Sequence, residues 1–366
     1  MRPACDRSPQ SRSRRTSRLR AVGVGEQVRG AGAGPGRSER ASGAGSLRSG
    51  PGGSRVPGIA VLVNPHAGRN RSDHHIEERL KKAAAKHGFV LCPRTLEELD
   101  HAAQLCAERK VDIVAVCGGD GSFFRALSAL VRAYNDQPLP WFLPLRGGSM
   151  NTIARSVGVR RGPPEKVLAH VAETYASGRP LRTTERQLIH VPPAYHGFMV
   201  GCGVIVNFLH VYYGGRGRGR WAAAYWLGRA IASGFVGGSL ARRILQGFRA
   251  DIDCDGERVP HRNYNVLYAS SIRDIGLGFV ATYLATRKRG YFHLLAGYVG
   301  AAQVIVRLHR LRSGCPLEIP TLYDNLAKRV SVEFERPTHY MIDGDVLDAV
   351  LELRLEAGPV LTIVQE

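Results

Sequence analysis

Several short polar segments of this sequence have residue types that could do chemistry. Gly118-Gly119-Asp120-Gly121-Ser122 follows the apolar run 111–117. Two consecutive glycines, and a third behind the aspartate, let backbone amides come close to a ligand. A helix starting at Ser122 would aim its positive end at the same place. Amides holding a phosphate, with the Asp120 carboxylate beside them, suit a nucleotide and its Mg2+, for which Asp120 is the candidate ligand. Asn64-Pro65-x-x-Gly68 and Gly147-Gly148-Ser149-x-Asn151 are loops of the same polar, glycine-bearing kind. Near the far end, Asp343-Gly344-Asp345 offers two carboxylates, which an extended segment would point to one face. Either could accept the proton of an attacking hydroxyl. Arg216, Arg218 and Arg220 alternate with glycine just before Trp221, Tyr225 and Trp226. That grouping suits an anionic lipid surface. Each segment also has a plainer reading: tight turns for the glycine loops and for Asp-Gly-Asp, and a loop feeding an ordinary amphipathic helix for the arginines.

The elements around these segments decide between the readings. Apolar strands at 59–63, 89–92, 112–116 and 141–143 alternate with helical stretches that start near Asp73, Thr95, Ser122 and Asn151. Thr95-Leu96-Glu97-Glu98 has capping-box spacing. Strands that are apolar throughout and alternate with helices imply a doubly wound parallel sheet covered on both faces. In such a sheet the loops after the first, third and fourth strands lie on one edge, where ligands bind. Three glycine-bearing loops on that edge point to a shared site rather than to separate turns. After Arg179-Pro180 the pattern becomes short alternating segments, at 186–191, 197–206, 248–254, 264–270, 278–285, 329–335 and 350–355. These predict an antiparallel, β-sandwich-like domain, interrupted by helices over 221–235 and 293–309. The apolar stripe from Leu295 to Val306 in the second of these reads as core packing.

The formal charge of +20 divides unevenly along the 366 residues. Residues 1–57 hold twelve arginines and no lysine against three acids, so +9 falls there and +11 on the other 309. Rich in Gly, Ser and Arg, this tail cannot bury enough apolar area to offset its ordering entropy and reads as disordered. It has no apolar signal core. Its Arg- and Ser-rich character also resembles a transit peptide, and translated sequence upstream of the true start is a further reading. The seven cysteines are widely spaced with no C-x-x-C pair, which argues against a disulfide framework or a thiolate zinc site. No apolar run is long enough to span a membrane.

In this order and spacing, Asn64-Pro65-x-x-Gly68, Gly118-Gly119-Asp120-Gly121-Ser122 and Pro144 to Gly148-Ser149-Met150-Asn151 resemble the diacylglycerol kinase catalytic-domain family. That family includes bacterial lipid kinases and the sphingosine and ceramide kinases. The resemblance covers roughly residues 58–366. It implies ATP bound between an α/β domain and a β-rich domain, with Asn64, Pro65, Gly68, Thr95, the Gly118–Ser122 loop, Gly148, Ser149 and Asn151 at the nucleotide. Met341-Ile342-Asp343-Gly344-Asp345 is similar to the family's Ile-Asp-Gly-Glu, which supplies an acid at the reacting hydroxyl. Asp343 is the favoured base, since Asp345 is one methylene shorter than the family's Glu. Phe124-Arg125 stands where the family has Asn-Glu, two residues are inserted after Pro144, and Arg289-Gly290 replaces a magnesium-associated Asp-Gly.

The implied organisation is a tail at 1–57, a nucleotide-binding domain at 58–180, a lipid-substrate domain at 181–357 and a strand returning to the first domain at 358–366. The implied activity is ATP- and Mg2+-dependent phosphorylation of a lipid hydroxyl, in the cytoplasm and peripheral at the inner face of a membrane. A catalytically silent lipid or nucleotide binder and an NAD-kinase-like phosphotransferase are the alternatives. No nucleic-acid partner is expected. Deleting residues 1–57 is expected to leave the melting temperature and nucleotide affinity unchanged. A large fall in melting temperature would show the segment to be part of the fold.

Overall fold

The computed structural model describes residues 58–84, 87–215, 217 and 219–366. The tail 1–57, and Arg216 and Arg218 of the Gly-Arg loop, lie outside the described residues. The first half alternates strand and helix: β1 (Ile59–Val63), α1 (Ile76–Ala84), β2 (Gly88–Leu91), α2 (Leu96–Glu108), β3 (Ile113–Gly118), α3 (Asp120–Tyr134), β4 (Trp141–Arg146), α4 (Thr152–Ser156) and α5 (Pro164–Ala176). The four strands are parallel in the order β2-β1-β3-β4. Every residue of β1 and β3 is buried, so a continuous apolar run is what their position demands. Right-handed crossovers in this strand order put α1 and α2 on opposite faces. Accordingly α1 packs on α5, and α2 on α3. The direction of winding reverses between β1 and β3, and their carboxyl ends open at that switch point.

The second half runs β5 (Thr183–Val191), β6 (Tyr195–Gly197), β7 (Met199–Gly203), α6 (Val204–Gly214), α7 (Arg220–Phe235), α8 (Ser239–Ile244) and β8 (Phe248–Cys254). It continues with β9 (Glu257–Arg258), β10 (Asn263–Tyr264), β11 (Val266–Ser270), β12 (Phe292–Gly297), α9 (Ala301–Val306), α10 (Leu308–Ser313), β13 (Leu322–Ala327), β14 (Arg329–Ile342) and β15 (Asp345–Val364). Strands β13, β12, β11, β7, β14 and β15 pair in that order, antiparallel throughout. The twenty-residue β15 joins the two halves. It pairs with β14 and β5 and ends parallel to β4, with Ile363 opposite Phe142.

Three segments differ from their sequence patterns. The run 197–206 reads as one strand, but the strand stops at Gly203 and α6 begins. Gly203 has φ +70°, and a Cβ there would meet the Asn265 carbonyl oxygen at 2.2 Å. The stretch 293–309, expected as a helix, begins as the fully buried strand β12 and only then forms α9 and α10. Apolar periodicity cannot separate a strand buried on both faces from a helix. Its stripe is not all core either, since Val306 is 62% exposed. The run 278–285 forms no strand, because Gly276, Leu277 and Gly278 all take positive φ.

His196, at the centre of β6, is buried and stacks on His190 with ring centroids 4.5 Å apart. Burial, then the charges of His190 and Arg132, push its pKa down from the usual value to about 4. Between that value and about 6.5 the unfolded chain binds the proton and the folded chain does not, so stability falls as pH falls through the window. The contribution is on the order of 3 kcal/mol. Urea denaturation between pH 7 and pH 4 should therefore show a steeper loss in the wild type than in His196→Phe. Parallel curves would remove His196 as the cause.

Candidate functional site

The loops after β1, β3 and β4 meet at the switch point and are built on one another. The Asn64 side-chain amide donates to Ser122 Oγ at 2.8 Å, and Asn64 Oδ1 accepts from the His66 amide at 2.8 Å. The buried Asn70 donates to the carbonyls of Asn64 (2.8 Å) and Cys117 (3.1 Å), tying the first loop to the end of β3. The Gly147 amide donates to the Gly118 carbonyl and the Arg69 amide to the Gly147 carbonyl, both at 3.0 Å. A Cβ on Gly148 would fall 2.2 Å from Gly119 Cα, and one on Gly68 would fall 2.2 Å from Ser149 Oγ. Gly148 is glycine because two loops touch there backbone to backbone, and Gly68 because the Ser149 side chain packs against it.

Asp120 locks this arrangement. Its two carboxylate oxygens accept the amides of Thr152 and Ile153, each at 2.9 Å, at the start of α4. Asn151, with φ +52°, closes the adjoining turn by accepting from the Gly148 amide (2.9 Å) and donating to its carbonyl (2.7 Å). Burial raises the pKa of Asp120, while the two amides and Arg155 oppose that rise. The sequence suggests a carboxylate aimed at phosphate or metal. Here both oxygens are already engaged by backbone, and Asp120 is a bridge between loops. The groups left for an anion are the first-turn amides of α3, because the helix's internal bonding begins with the Phe123 amide on the Gly119 carbonyl.

The second pair of carboxylates comes from the β14–β15 hairpin. Asp343 (φ +48°) and Gly344 (φ +94°) form its two-residue turn, closed by the pair Ile342 and Asp345. The extended segment expected from sequence is therefore a turn, and its two acids diverge. Asp343 is 1% exposed and accepts from the amides of Phe198 (3.0 and 3.1 Å) and Met199 (2.8 Å). Burial lifts its pKa well above the usual carboxylate range, against those amides and with the fields of Asp120 and Asp345 adding to the rise. Asp345 instead faces the glycine loop: a Cβ on Gly121 would fall 2.2 Å from its Oδ1. Its Oδ2 accepts from Arg125 Nε at 3.1 Å, with both side chains about one-third exposed. Of the two, Asp345 is the accessible carboxylate.

Other expected residues stand farther out. Thr95 caps α2, accepting from the Glu98 amide at 3.2 Å, and makes no hydrogen bond to the three loops among the described residues. Pro65 borders the first loop, half-buried. Gly219 approaches the Ser149 loop, its amide donating to Tyr212 Oη at 2.7 Å, and Tyr213 Oη donates to the Gly344 carbonyl at 2.9 Å. Trp221 is 90% exposed, so it does not enter the core. Arg289 pairs with Glu185 at 3.6 Å. Asn70 and Tyr212 were not legible as site residues, since nothing in their local sequence marks them. Among the described residues no group of three or more His, Cys, Asp or Glu side chains is placed to hold a metal, and Cys92, Cys106, Cys117, Cys202 and Cys254 are free thiols. No helix among them is long and apolar enough to cross a membrane.

Because Asp120 bonds two amides, Asp120→Asn turns one acceptor into a donor facing an N–H. It is expected to cost about 1–3 kcal/mol of stability. Asp345→Asn removes only a partly exposed ion pair and is expected to cost about 1 kcal/mol or less. Urea denaturation of the two variants checks the contrast, and equal stabilities would contradict the bridging role of Asp120.

Residues 58–179 match the family model described as the diacylglycerol kinase catalytic domain. No curated protein matches the chain. Two solved structures from Bacillus anthracis str. Sterne, both named as diacylglycerol kinases, are similar to it with TM-scores of 0.61 and 0.56. Each is 15% identical, and each match covers 85% of this chain and 97% of the other. At that identity the likeness is one of fold. The segment 58–179 is thus a match to the diacylglycerol kinase catalytic-domain family, set in a chain whose fold is that of the Bacillus anthracis structures.

Proposed function

We propose that the chain is an ATP-dependent lipid kinase, transferring the γ-phosphoryl group to the hydroxyl of a diacylglycerol- or sphingoid-like lipid at a membrane surface. The observation that carries this reading is the contact of Asp345 with Gly121 of the glycine loop. The nucleotide phosphates would rest on the first-turn amides of α3 and on Gly119 and Gly148, with Asn64, Gly68, Ser122, Ser149 and Asn151 around them. Thr95 and Pro65 would lie toward the base. A hydroxyl arriving beside Gly121 meets Asp345, which takes its proton as the oxygen attacks the γ-phosphorus and the bond to the departing ADP breaks. Arg125 brings a guanidinium to the same spot, where it would offset phosphoryl charge. Asp120 and Asp343 act through the backbone as positioning residues.

The family also implies Mg2+. Its donor set is not gathered among the described side chains, so the phosphates themselves would be its main ligands, and no step above uses a protein-held metal. In this reading residues 58–180 bind nucleotide, 181–357 receive the lipid and 358–366 return to the first sheet. Exposed Trp221, Tyr225, Phe235 and Val236 on and after α7 support a peripheral membrane contact. Residues 186–250 contain no Asp or Glu, which suits an anionic leaflet.

A chain that binds nucleotide and lipid without turnover is the second reading, favoured by the Arg125–Asp345 ion pair and by the amides that engage Asp120 and Asp343. Labelled ATP and phosphatidylserine vesicles carrying diacylglycerol or a sphingoid base separate the two. The kinase reading expects labelled lipid, and a fall of about a hundredfold or more in Asp345→Asn with ATP affinity kept. Bound ATP with no labelled lipid in any arm would establish the silent reading.

A further inference from the structure

On the face of the parallel sheet covered by α1 and α5, beside the glycine loops, lies a cavity of about 490 Å3. Its walls carry Arg69, Arg79, Arg146 and Arg161 against two acids, Asp73 and Glu165. Arg79 engages both acids, pairing with Asp73 and, at 3.4 Å, with Glu165. The other three arginines have no carboxylate partner among the described residues.

Arg146 is the most constrained of them. It ends β4 half-buried, donates from Nη2 to the Val159 carbonyl at 2.7 Å, and keeps a buried Nε with no partner. Burial, then the like charges of Arg161, Arg155 and Arg69, push its pKa down. Arg155 pairs with Asp274 at 3.8 Å and lies in the field of Asp120, and it keeps a buried, unpartnered Nη1. A guanidinium withdrawn from water among like charges is costly without an anion. The protein supplies none here beyond the two that Arg79 holds. The planar guanidinium fork matches the paired oxygens of a phosphate, and the volume falls within the range of roughly 300–1,000 Å3 typical of small-molecule sites.

The cavity is also wired to the site. Arg146 directly precedes Gly147, the Arg69 amide donates to the Gly147 carbonyl, and Gly68 rests on Ser149. We propose that the cavity lined by Arg69, Arg146 and Arg161 binds a phosphate-bearing anion, at a position separate from the nucleotide phosphates, and that its occupant fixes the Gly147–Asn151 loop. The proposal stands whether or not the chain turns over ATP.

Two probes test it on the full chain: inorganic pyrophosphate followed by calorimetry, and phosphatidylcholine vesicles with or without phosphatidic acid followed by co-sedimentation. Arg69→Gln and Arg161→Gln alter exposed side chains and keep the fold, whereas Arg146→Gln is read only if its melting curve is cooperative. Arg354→Gln removes one charge elsewhere as the control. Pyrophosphate binding weakened about tenfold or more in the cavity variants, and unchanged in the control, supports a free phosphorylated ligand. Loss of binding to phosphatidic acid vesicles in the cavity variants alone, without competition by pyrophosphate, supports a lipid headgroup as the source. Wild-type affinity of the cavity variants for both probes, or an equal loss in the control, overturns the proposal. Because no ATP enters these measurements, a failed kinase assay has no bearing on their outcome.

Discussion

The site hangs on a carboxylate that has no freedom. Asp120 spends both oxygens on the amides of Thr152 and Ile153, joining the loop after β3 to the helix after β4. A carboxylate drawn partly out of water needs such donors, and α4 cannot begin elsewhere while Asp120 holds its first amides. The glycines follow from this bridge. With the two loops drawn together, Gly119 and Gly148 meet at backbone distance, and a side chain on either would push them apart. The amides of the α3 first turn are then held at one edge of the sheet, facing outward where the winding reverses.

The hairpin between β14 and β15 works by the opposite division of labour. One acid of its turn is sacrificed to structure: Asp343 is sealed against the amides of Phe198 and Met199 and fixes the turn on the start of β7. The neighbouring acid is displayed. Asp345 can face Gly121 because Asp343 is anchored, and Arg125 shares its charge. Arg125 comes from α3 and Asp345 from β15, so the site holds an ion pair between the two halves.

Much of this was legible in the sequence. Four apolar runs alternating with helices gave the parallel sheet, and their glycine-bearing ends gave the loops, because both patterns follow from burial on two faces and from backbone proximity. The capping role of Thr95 was equally plain from its spacing. What could not be read was which carboxylate faces solvent. Asp343 and Asp345 differ by two positions, and only the positive φ of Asp343 and Gly344, imposed by the hairpin, turns one inward. Asp120 looked free for the same reason, since its partners are backbone amides that carry no sequence signature. Strand β12 and helix α6 were misread where buried runs lack a period or where one glycine ends a strand.

The last strand gives the fold a history as well as a shape. Ile363 in β15 lies beside Phe142 of β4, and Asp345 reaches Arg125 across 220 positions of chain. On a ribosome, the first half of the chain would emerge with the β4 edge of its sheet unpaired, and that edge stays open until residues through Val364 have been made. An open strand edge invites pairing with other chains, and closure over so long a loop is slow. During synthesis, therefore, the nascent first half is the stage most in need of a chaperone's cover, and Asp345 meets Arg125 only after the second half has followed.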